Sequence, residues 1–345
     1  MEEQLLTTPM TSVPEVAIVI LNWNGKIYLE QFLPSVLRSS YPNFRIIVAD
    51  NASSDESVAF VQSHFPEVEI IVNESNFGFA GGYNAALKQV RSDYFVLLNS
   101  DVEVTPGWIE PVITLMESDL QIAAAQPKLR DFNNRRRFEY AGAAGGYMDK
   151  FGYPFCRGRI FDHIEEDEGQ YDVSTEIFWA SGAALFIKRP YWEEINGFDA
   201  DFFAHMEEID LCWRLKNRGY KIVYCPSSVV YHIGGGTLHT ENPYKTYLNF
   251  RNNLVMLLKN LPFRKALPVL FIRFWLDFIS LLKFVAEGKF KQARAINKAH
   301  IAFFSRYRTN KRKTLKDYNF NAAGLVKKSI VWEYFAKGKK TFREL

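Results

Sequence analysis

Hydrophobic positions along this chain fall into short, nearly continuous runs, separated by stretches in which apolar residues recur every third or fourth place. Val16 to Leu21, Phe44 to Ala49, Val68 to Val72 and Tyr94 to Leu98 are such runs. Continuous runs of this length predict strands buried on both faces, as in a parallel sheet. Between them, Ile27 to Leu37 places apolar residues at 29, 32, 33, 36 and 37, a helical stripe. Ser54 or Asp55 is placed to cap a helix reaching His64, and Phe79 to Val90 predicts a third helix. Strands alternating with helices in this way predict right-handed βαβ units.

Each run ends in polar residues: Asn22, Asp50-Asn51, Asn73-Glu74 and Asn99-Ser100-Asp101. In a parallel sheet these ends share one rim, where open α/β sheets bind ligands. A carboxylate such as Asp101 at that rim can hold a divalent cation against a phosphate, although an Asx turn capping the strand reads equally well. Asp50 is placed to accept the N3–H of a uracil or thymine ring, or simply to open a turn. Asn76 to Asn84 is glycine-rich and leads into a helix, so its amides are candidates to face an anion. It is neither a Walker A loop nor a GxGxxG.

Beyond Trp108 the pattern predicts a helix to Met116, a short strand from Ile122 to Ala125, and strands around Ala183 to Ile187 and Lys221 to Tyr224. Residues 130–175, with Arg135-Arg136-Arg137 and Glu165-Glu166-Asp167-Glu168, read as solvated loops and as the place for substrate-specific elements. Glu207, Glu208 and Asp210 set three carboxylates in four positions among apolar neighbours. Repulsion and partial burial there would raise one pKa, as a general base requires, while an acidic helix start is the plainer reading. His232, ahead of Gly234-Gly235-Gly236, is a candidate metal or phosphate contact, or a structural histidine.

Composition narrows the classes. At 345 residues and 48% hydrophobic content the chain is globular, and its three cysteines show no zinc or disulfide pattern, which fits a reducing compartment. Met1-Glu2-Glu3-Gln4 lacks the basic start of a signal peptide. The net charge of +3 conceals an asymmetry: residues 283–345 hold 17 basic against 4 acidic residues, a net +13, which leaves about −10 for the remainder. Such a tail points to an anionic surface, membrane or nucleic acid. Leu267 to Val285 is apolar but carries Arg273, Asp277 and Lys283, which predicts an amphipathic helix lying in a membrane interface rather than spanning it; a helical lid is the alternative.

Val19-Ile20-Leu21-Asn22-Trp23-Asn24, Asp50 to Asp55, Asn76 to Asn84, Leu97 to Asp101, Gly197-Phe198-Asp199, Glu207-Glu208-Ile209-Asp210 and His232, in that order, resemble the family 2 glycosyltransferases, in particular a rhamnosyltransferase-like bacterial branch. The resemblance covers residues 15–240. It implies a GT-A fold: an α/β domain with a Rossmann-like, mostly parallel central sheet flanked by helices. Residues 1–14 form a lead-in, 15–125 a nucleotide-binding half, 126–240 an acceptor-binding half and 241–345 a helical, basic extension. It further implies inverting transfer of a sugar, rhamnose being one candidate, from a UDP- or dTDP-sugar to a hydroxyl of a glycan or lipid-linked acceptor in cell-surface polysaccharide synthesis, with Mg²⁺ or Mn²⁺ as cofactor. Carried over residue by residue, Glu208 is the base. Asn22, Asp50, Asn51, Asp55, Asn76, Gly78, Phe79, Ala80, Asn84, Asn99, Ser100 and Asp101 bind the donor. Trp179, Gly182, Glu207 and Asp210 bind the acceptor, and Asp101 and His232 bind the metal. The family's DxD stands here as Asn99-Ser100-Asp101, with Asp101-Val102-Glu103 as a competing register, and Glu208 occupies a position where the family usually has Asp. The expected location is cytoplasmic and peripheral on the inner face of the cell membrane, with no nucleic acid expected. A nucleotidyltransferase acting on sugar phosphates and a non-enzymatic basic nucleic-acid-binding protein are the competing readings.

Overall fold

A computed structural model describes residues 13–234, 242–307 and 322–345. Most of the N-terminal lead-in, the glycines after Gly234 and part of the basic tail lie outside these residues.

The first half follows the hydrophobic pattern. Strands β1 (Val16–Asn22), β2 (Phe44–Asp50), β3 (Glu69–Val72) and β4 (Tyr94–Asn99) alternate with helices α1 (Lys26–Leu37), α2 (Ser57–His64) and α3 (Gly78–Leu87). All pair in parallel, in the order β3-β2-β1-β4. Val16 to Ile20 and Tyr94 to Leu98 are almost wholly buried because helices cover both faces.

A short strand β5 (Val102–Val104) and helix α4 (Glu110–Glu117) lead to β6 (Ile122–Asp131), which runs well past the predicted end at Ala125. Strands β7 (Gly146–Asp149), β8 (Pro154–Cys156), β9 (Arg159–Ile160) and β10 (His163–Ile164) follow, then β11 (Thr175–Ile177), β12 (Ala184–Lys188), helix α5 (Arg189–Glu194), helix α6 (Glu207–Asn217) and strand β13 (Lys221–His232). Strand β12 enters antiparallel between β4 and β6, and β13 runs parallel to β6. The central sheet is therefore mixed: its first four strands are all parallel, and antiparallel pairings enter with β5, β11 and β12, where a mostly parallel sheet was expected.

Residues 130–175 depart furthest from expectation. They build a second sheet, β10-β9-β8-β7, and bury Phe138, Met148, Phe155, Ile160 and Tyr171. Asp167, from the acidic run read as solvated, has a fully buried side chain held by Lys128 at 2.8 Å and by Arg130. Charge in the run was legible; its burial beside two cations was not.

Helices α7 (Pro243–Asn260), α8 (Phe263–Ala286) and α9 (Phe290–Ser305) pack on one another, and α7 also packs on α6. The C-terminal segment is not purely helical: strand β14 (Leu325–Val326) adds to β7 in parallel. No helix among the described residues is long and apolar enough to cross a membrane.

Candidate active site

Strand β1 has β2 on one side and β4 on the other, so its carboxyl end is the point where strand order reverses. Register sets Asn22 opposite Asp50 and Leu21 opposite Asn99, which brings the predicted strand ends to one rim. Buried Asn22 donates through Nδ2 to Asp50 Oδ1 at 2.9 Å, while its Oδ1 is buried with no partner. Gly25 lies against that orphaned oxygen; a Cβ there would stand 2.5 Å from Oδ1 and 3.6 Å from Ser100 Oγ. Asp50 also accepts from Ser53 N at 2.8 Å and Ser53 Oγ at 2.6 Å, so its carboxylate is fixed at the rim with acceptor capacity to spare.

Several of the residues expected at the donor site hold the rim together. Asn51 Nδ2 donates to Asn76 Oδ1 (2.9 Å) and Gly78 O (3.0 Å), and Asn76 Oδ1 accepts Gly78 N–H at 2.9 Å. Ala80 N–H donates to Phe203 O at 3.1 Å. The glycine-rich loop thus uses the amides of Gly78 and Ala80 inside the protein, where an anion had been expected. Gly78, at φ +72°, lets Phe203 approach so closely that a Cβ would meet its ring at 2.5 Å. Asp55 accepts from the amides of Lys26 and Ser57, both at 3.1 Å, tying the starts of α1 and α2. Asn84 spends both ends of its amide on the Phe198 backbone, at 2.8 and 3.0 Å. Asp55 and Asn84 thus have structural partners within the protein.

At the end of β4, Asp101 Oδ1 lies 3.1 Å from His232 Nε2. Asn99 Nδ2 is 3.4 Å from the same nitrogen. Pairing of β5 with β13 and of β13 with β6 brings His232 here from far along the chain. Glu139, which sequence reasoning missed, lies 3.2 Å from His232 Nδ1 and is itself buried. Burial disfavours the charged imidazole, but Asp101 and Glu139 outweigh it and raise His232 to about 10. Burial likewise opposes the Asp101 carboxylate, and the facing imidazolium overrides it, holding the pKa below the usual range. Glu103 turns away to Arg135 at 2.9 Å, which favours the Asn99-Ser100-Asp101 register. Among the described residues no group of three His, Cys, Asp or Glu side chains could hold a metal ion by itself. Asp101 Oδ1 and His232 Nε2, 3.1 Å apart, would nevertheless suit a shared one once the imidazole gives up its proton, as a metal-bound histidine must. Remaining positions would fall to substrate oxygens and water, the usual division for Mg²⁺.

The acidic cluster divides by helix face. Glu208 is half-buried at the start of α6, and its Oε2 has no partner. Burial pushes its pKa up to about 7. Glu207 is driven well above the usual range, first by burial and then by Glu208. Gly182 sits between Phe79 and Glu208; a Cβ there would lie 3.1 Å from the Phe79 ring and 3.9 Å from Glu208 Cβ. Phe79 and Gly182 therefore join the two halves beside the carboxylate. Asp210 points elsewhere. It is fully buried, accepting from Arg214 Nε (2.8 Å), Lys259 Nζ (2.9 and 3.0 Å) and Asn260 Nδ2 (2.8 Å). Burial would raise its pKa, but Lys259 and Arg214 hold it down. Trp179 is also buried, donating from Nε1 to Tyr147 O at 2.9 Å. Asp210 and Trp179 are both anchored by internal hydrogen bonds.

The segment before Glu207 is strained. Phe203, His205 and Met206 have φ of 65°, 68° and 72°, a region non-glycine residues enter at roughly 1–3 kcal/mol each. Helix α7 holds it there. Arg251 Nη2 reaches the carbonyls of Asp201 and Phe202 at 3.0 and 2.9 Å, and Asn252 Nδ2 those of Phe202, Ala204 and His205 at 2.7–3.0 Å. Sequence inspection gave these two residues no role; the polar run Arg251-Asn252-Asn253 within the helical apolar pattern of α7 was the available signal, and Lys259 and Asn260 are buried on the same helix.

Residues 17–182, from β1 to the turn before β12, match the Glycosyl transferase family 2 model. The chain carries a family 2 glycosyltransferase domain. It is 25% identical over 239 residues to the N-acetylglucosaminyl-diphospho-decaprenol L-rhamnosyltransferase of Mycobacterium tuberculosis, covering 65% of this chain and 76% of that protein. It is 25% identical over 224 residues to rhamnosyltransferase WbbL of Escherichia coli, covering 63% and 83%. A solved mannosyltransferase of Pyrobaculum calidifontis in complex with GDP-Man and Mn²⁺ superposes with a TM-score of 0.53 at 17% identity, covering 88% of this chain and 84% of that one. The fold of this glycosyltransferase is accordingly GT-A. Its family match ends before Glu208 and His232, so those roles rest on the geometry above.

Proposed function

We propose that this glycosyltransferase moves rhamnose from a UDP- or dTDP-sugar to a hydroxyl of a lipid-linked glycan, with inversion at the transferred carbon, in cell-surface polysaccharide synthesis. The carrying observation is Glu208: a carboxylate at the junction of the two halves, with a buried, unpartnered oxygen and a pKa of about 7. It is poised to take the acceptor hydroxyl's proton. The freed oxygen attacks the anomeric carbon opposite the leaving diphosphate; the bond to the diphosphate breaks, and one displacement inverts the centre. On the donor side Asp50 accepts from the pyrimidine N3–H, and orphaned Asn22 Oδ1 faces a donor hydroxyl. Asp101 and His232 would hold Mg²⁺ or Mn²⁺, which supplies positive charge to the leaving diphosphate. Rhamnose and a lipid-linked acceptor draw support from the names of the relatives. Such an acceptor places the enzyme on the inner face of the cell membrane.

A donor screen tests the reading. Nucleotide diphosphate should be released only with Mg²⁺ or Mn²⁺ and an acceptor, the product anomer should be inverted by NMR, and Glu208→Gln should abolish release. No binding of UDP or dTDP in calorimetry would sink the proposal.

A further inference from the structure

Helix α8 is amphipathic, with charge on its buried side. Its charged Arg273 and Asp277 face inward, fully buried. They pair at 3.4 Å; Arg273 also covers the Tyr153 ring, and Asp277 meets His300 at 3.1 Å. The outward stripe is apolar: Leu267, Phe271, Trp275, Phe278, Ile279 and Leu282 are each 46–65% exposed. These positions recur at three- and four-residue spacing along a helix about 36 Å long. Trp332 and Phe335, 62% and 61% exposed, extend the surface on one flank, where Lys283 lies 5.9 Å from the Phe335 ring. Beside Ile272 and Leu276 opens a cavity of about 470 Å³ lined also by Phe151, Trp332 and the lysines Lys150, Lys327 and Lys328. Its one acid, Glu333, is neutralised by Lys337 and Lys339 at 2.8 and 2.7 Å.

We propose that this face seats the enzyme on an anionic bilayer, the α8 stripe entering the acyl boundary and the lysine-lined cavity taking a lipid phosphate. The inference rests on the membrane-linked acceptor reading and specifies the surface that meets the membrane. Continuous exposed apolar area of this kind marks an interaction site. Charge selects the occupant. In a symmetric dimer the same lysine rim would oppose itself, whereas an anionic leaflet complements it. Tryptophans along the stripe and its flank suit a membrane–water boundary. Through α7, which α8 packs against, this face is one helix from the clamp on the Glu208 segment.

Co-sedimentation of the full chain with vesicles decides the matter. Wild type should pellet with phosphatidylglycerol-containing vesicles, weakly with pure phosphatidylcholine, and less as salt rises. A Trp275→Ser/Ile279→Ser variant should lose at least about tenfold in partitioning. Lys150→Ser/Lys327→Ser should lose roughly tenfold on anionic vesicles and nothing on neutral ones. Should the serine variants misfold, Trp275→Phe/Trp332→Phe keeps the surface apolar and should instead lose fluorescence quenching by brominated phosphatidylglycerol. Absence of vesicle binding by wild type, variants that pellet undiminished, or a wild-type dimer dissociated by Trp275→Ser/Ile279→Ser would each overturn the proposal. Calorimetry with UDP or dTDP separates the layers: nucleotide binding without vesicle binding leaves the transferase reading standing.

Discussion

At the scale of single residues, Glu208 carries opposite demands. Its raised pKa means that the folded protein retains a proton the unfolded chain gives up above the ordinary 4.5. The cost to stability is therefore absent below pH 4.5, grows as pH rises, and is complete above about 7. Glu208→Gln should unfold at a higher temperature than wild type at pH 8, by roughly 1–3 kcal/mol in stability, and no higher at pH 4. The same change should lower kcat by roughly 10²–10⁴ and remove the rise of wild-type kcat with pH through about 7. Melting curves and a pH–rate profile check both signs. Asp101→Asn separates the other half of the site. It should weaken nucleotide diphosphate binding in calorimetry with Mn²⁺ by about tenfold or more, yet leave metal-free binding unchanged.

At the scale of elements, α6 and α7 form one device. Asp210 is locked by Arg214, Lys259 and Asn260, which fixes the rotation of α6 and with it the side on which Glu208 emerges. Asp210→Asn should destabilise by about 3–5 kcal/mol, because it strands buried cations, while nucleotide affinity of the folded fraction stays unchanged. Asn252→Ala leaves carbonyls of the strained segment without their donor. It should cost about 1–3 kcal/mol and lower kcat about tenfold, with nucleotide Kd unaltered. Denaturant titration and calorimetry distinguish the pair. These roles also mark how far the sequence is readable. Strand ends at Asn22, Asp50 and Asp101 were legible because a parallel sheet forces them to one rim. Glu208 and Asp210 lie about 200° apart around a helix, and spacing alone does not say which faces the cleft. The backbone contacts of Asn84 and Trp179 were hidden for a related reason: the groups that recognise a sugar also satisfy buried backbone, and spacing does not separate the two uses.

At the scale of the whole molecule, the least legible part was residues 130–175, since their short strands gain their core from distant partners. The C-terminal segment is one of these partners. Asp149 Oδ2 accepts Ile330 N–H at 3.0 Å, Gly324 O accepts Met148 N–H at 3.0 Å, and Phe342 N–H donates to Glu165 at 3.1 Å. Gly324 fits so tightly that a Cβ would lie 2.4 Å from Phe178 N. Helix α9 adds buried Ile296 and Phe303 against its neighbours. Deleting residues 283–345 therefore does more than discard basic charge. It removes β14, uncovers β7, and strips apolar cover from α7 and α8; Ile296 and Phe303 alone bury roughly 1.5–3 kcal/mol each, against a total stability of about 5–15 kcal/mol. The truncated chain should lose the single cooperative transition of the full protein in a thermal melt and bind nucleotide diphosphate poorly. Were it to melt as wild type does, the C-terminal segment would be an appendage, and the second sheet would have to complete its core without it.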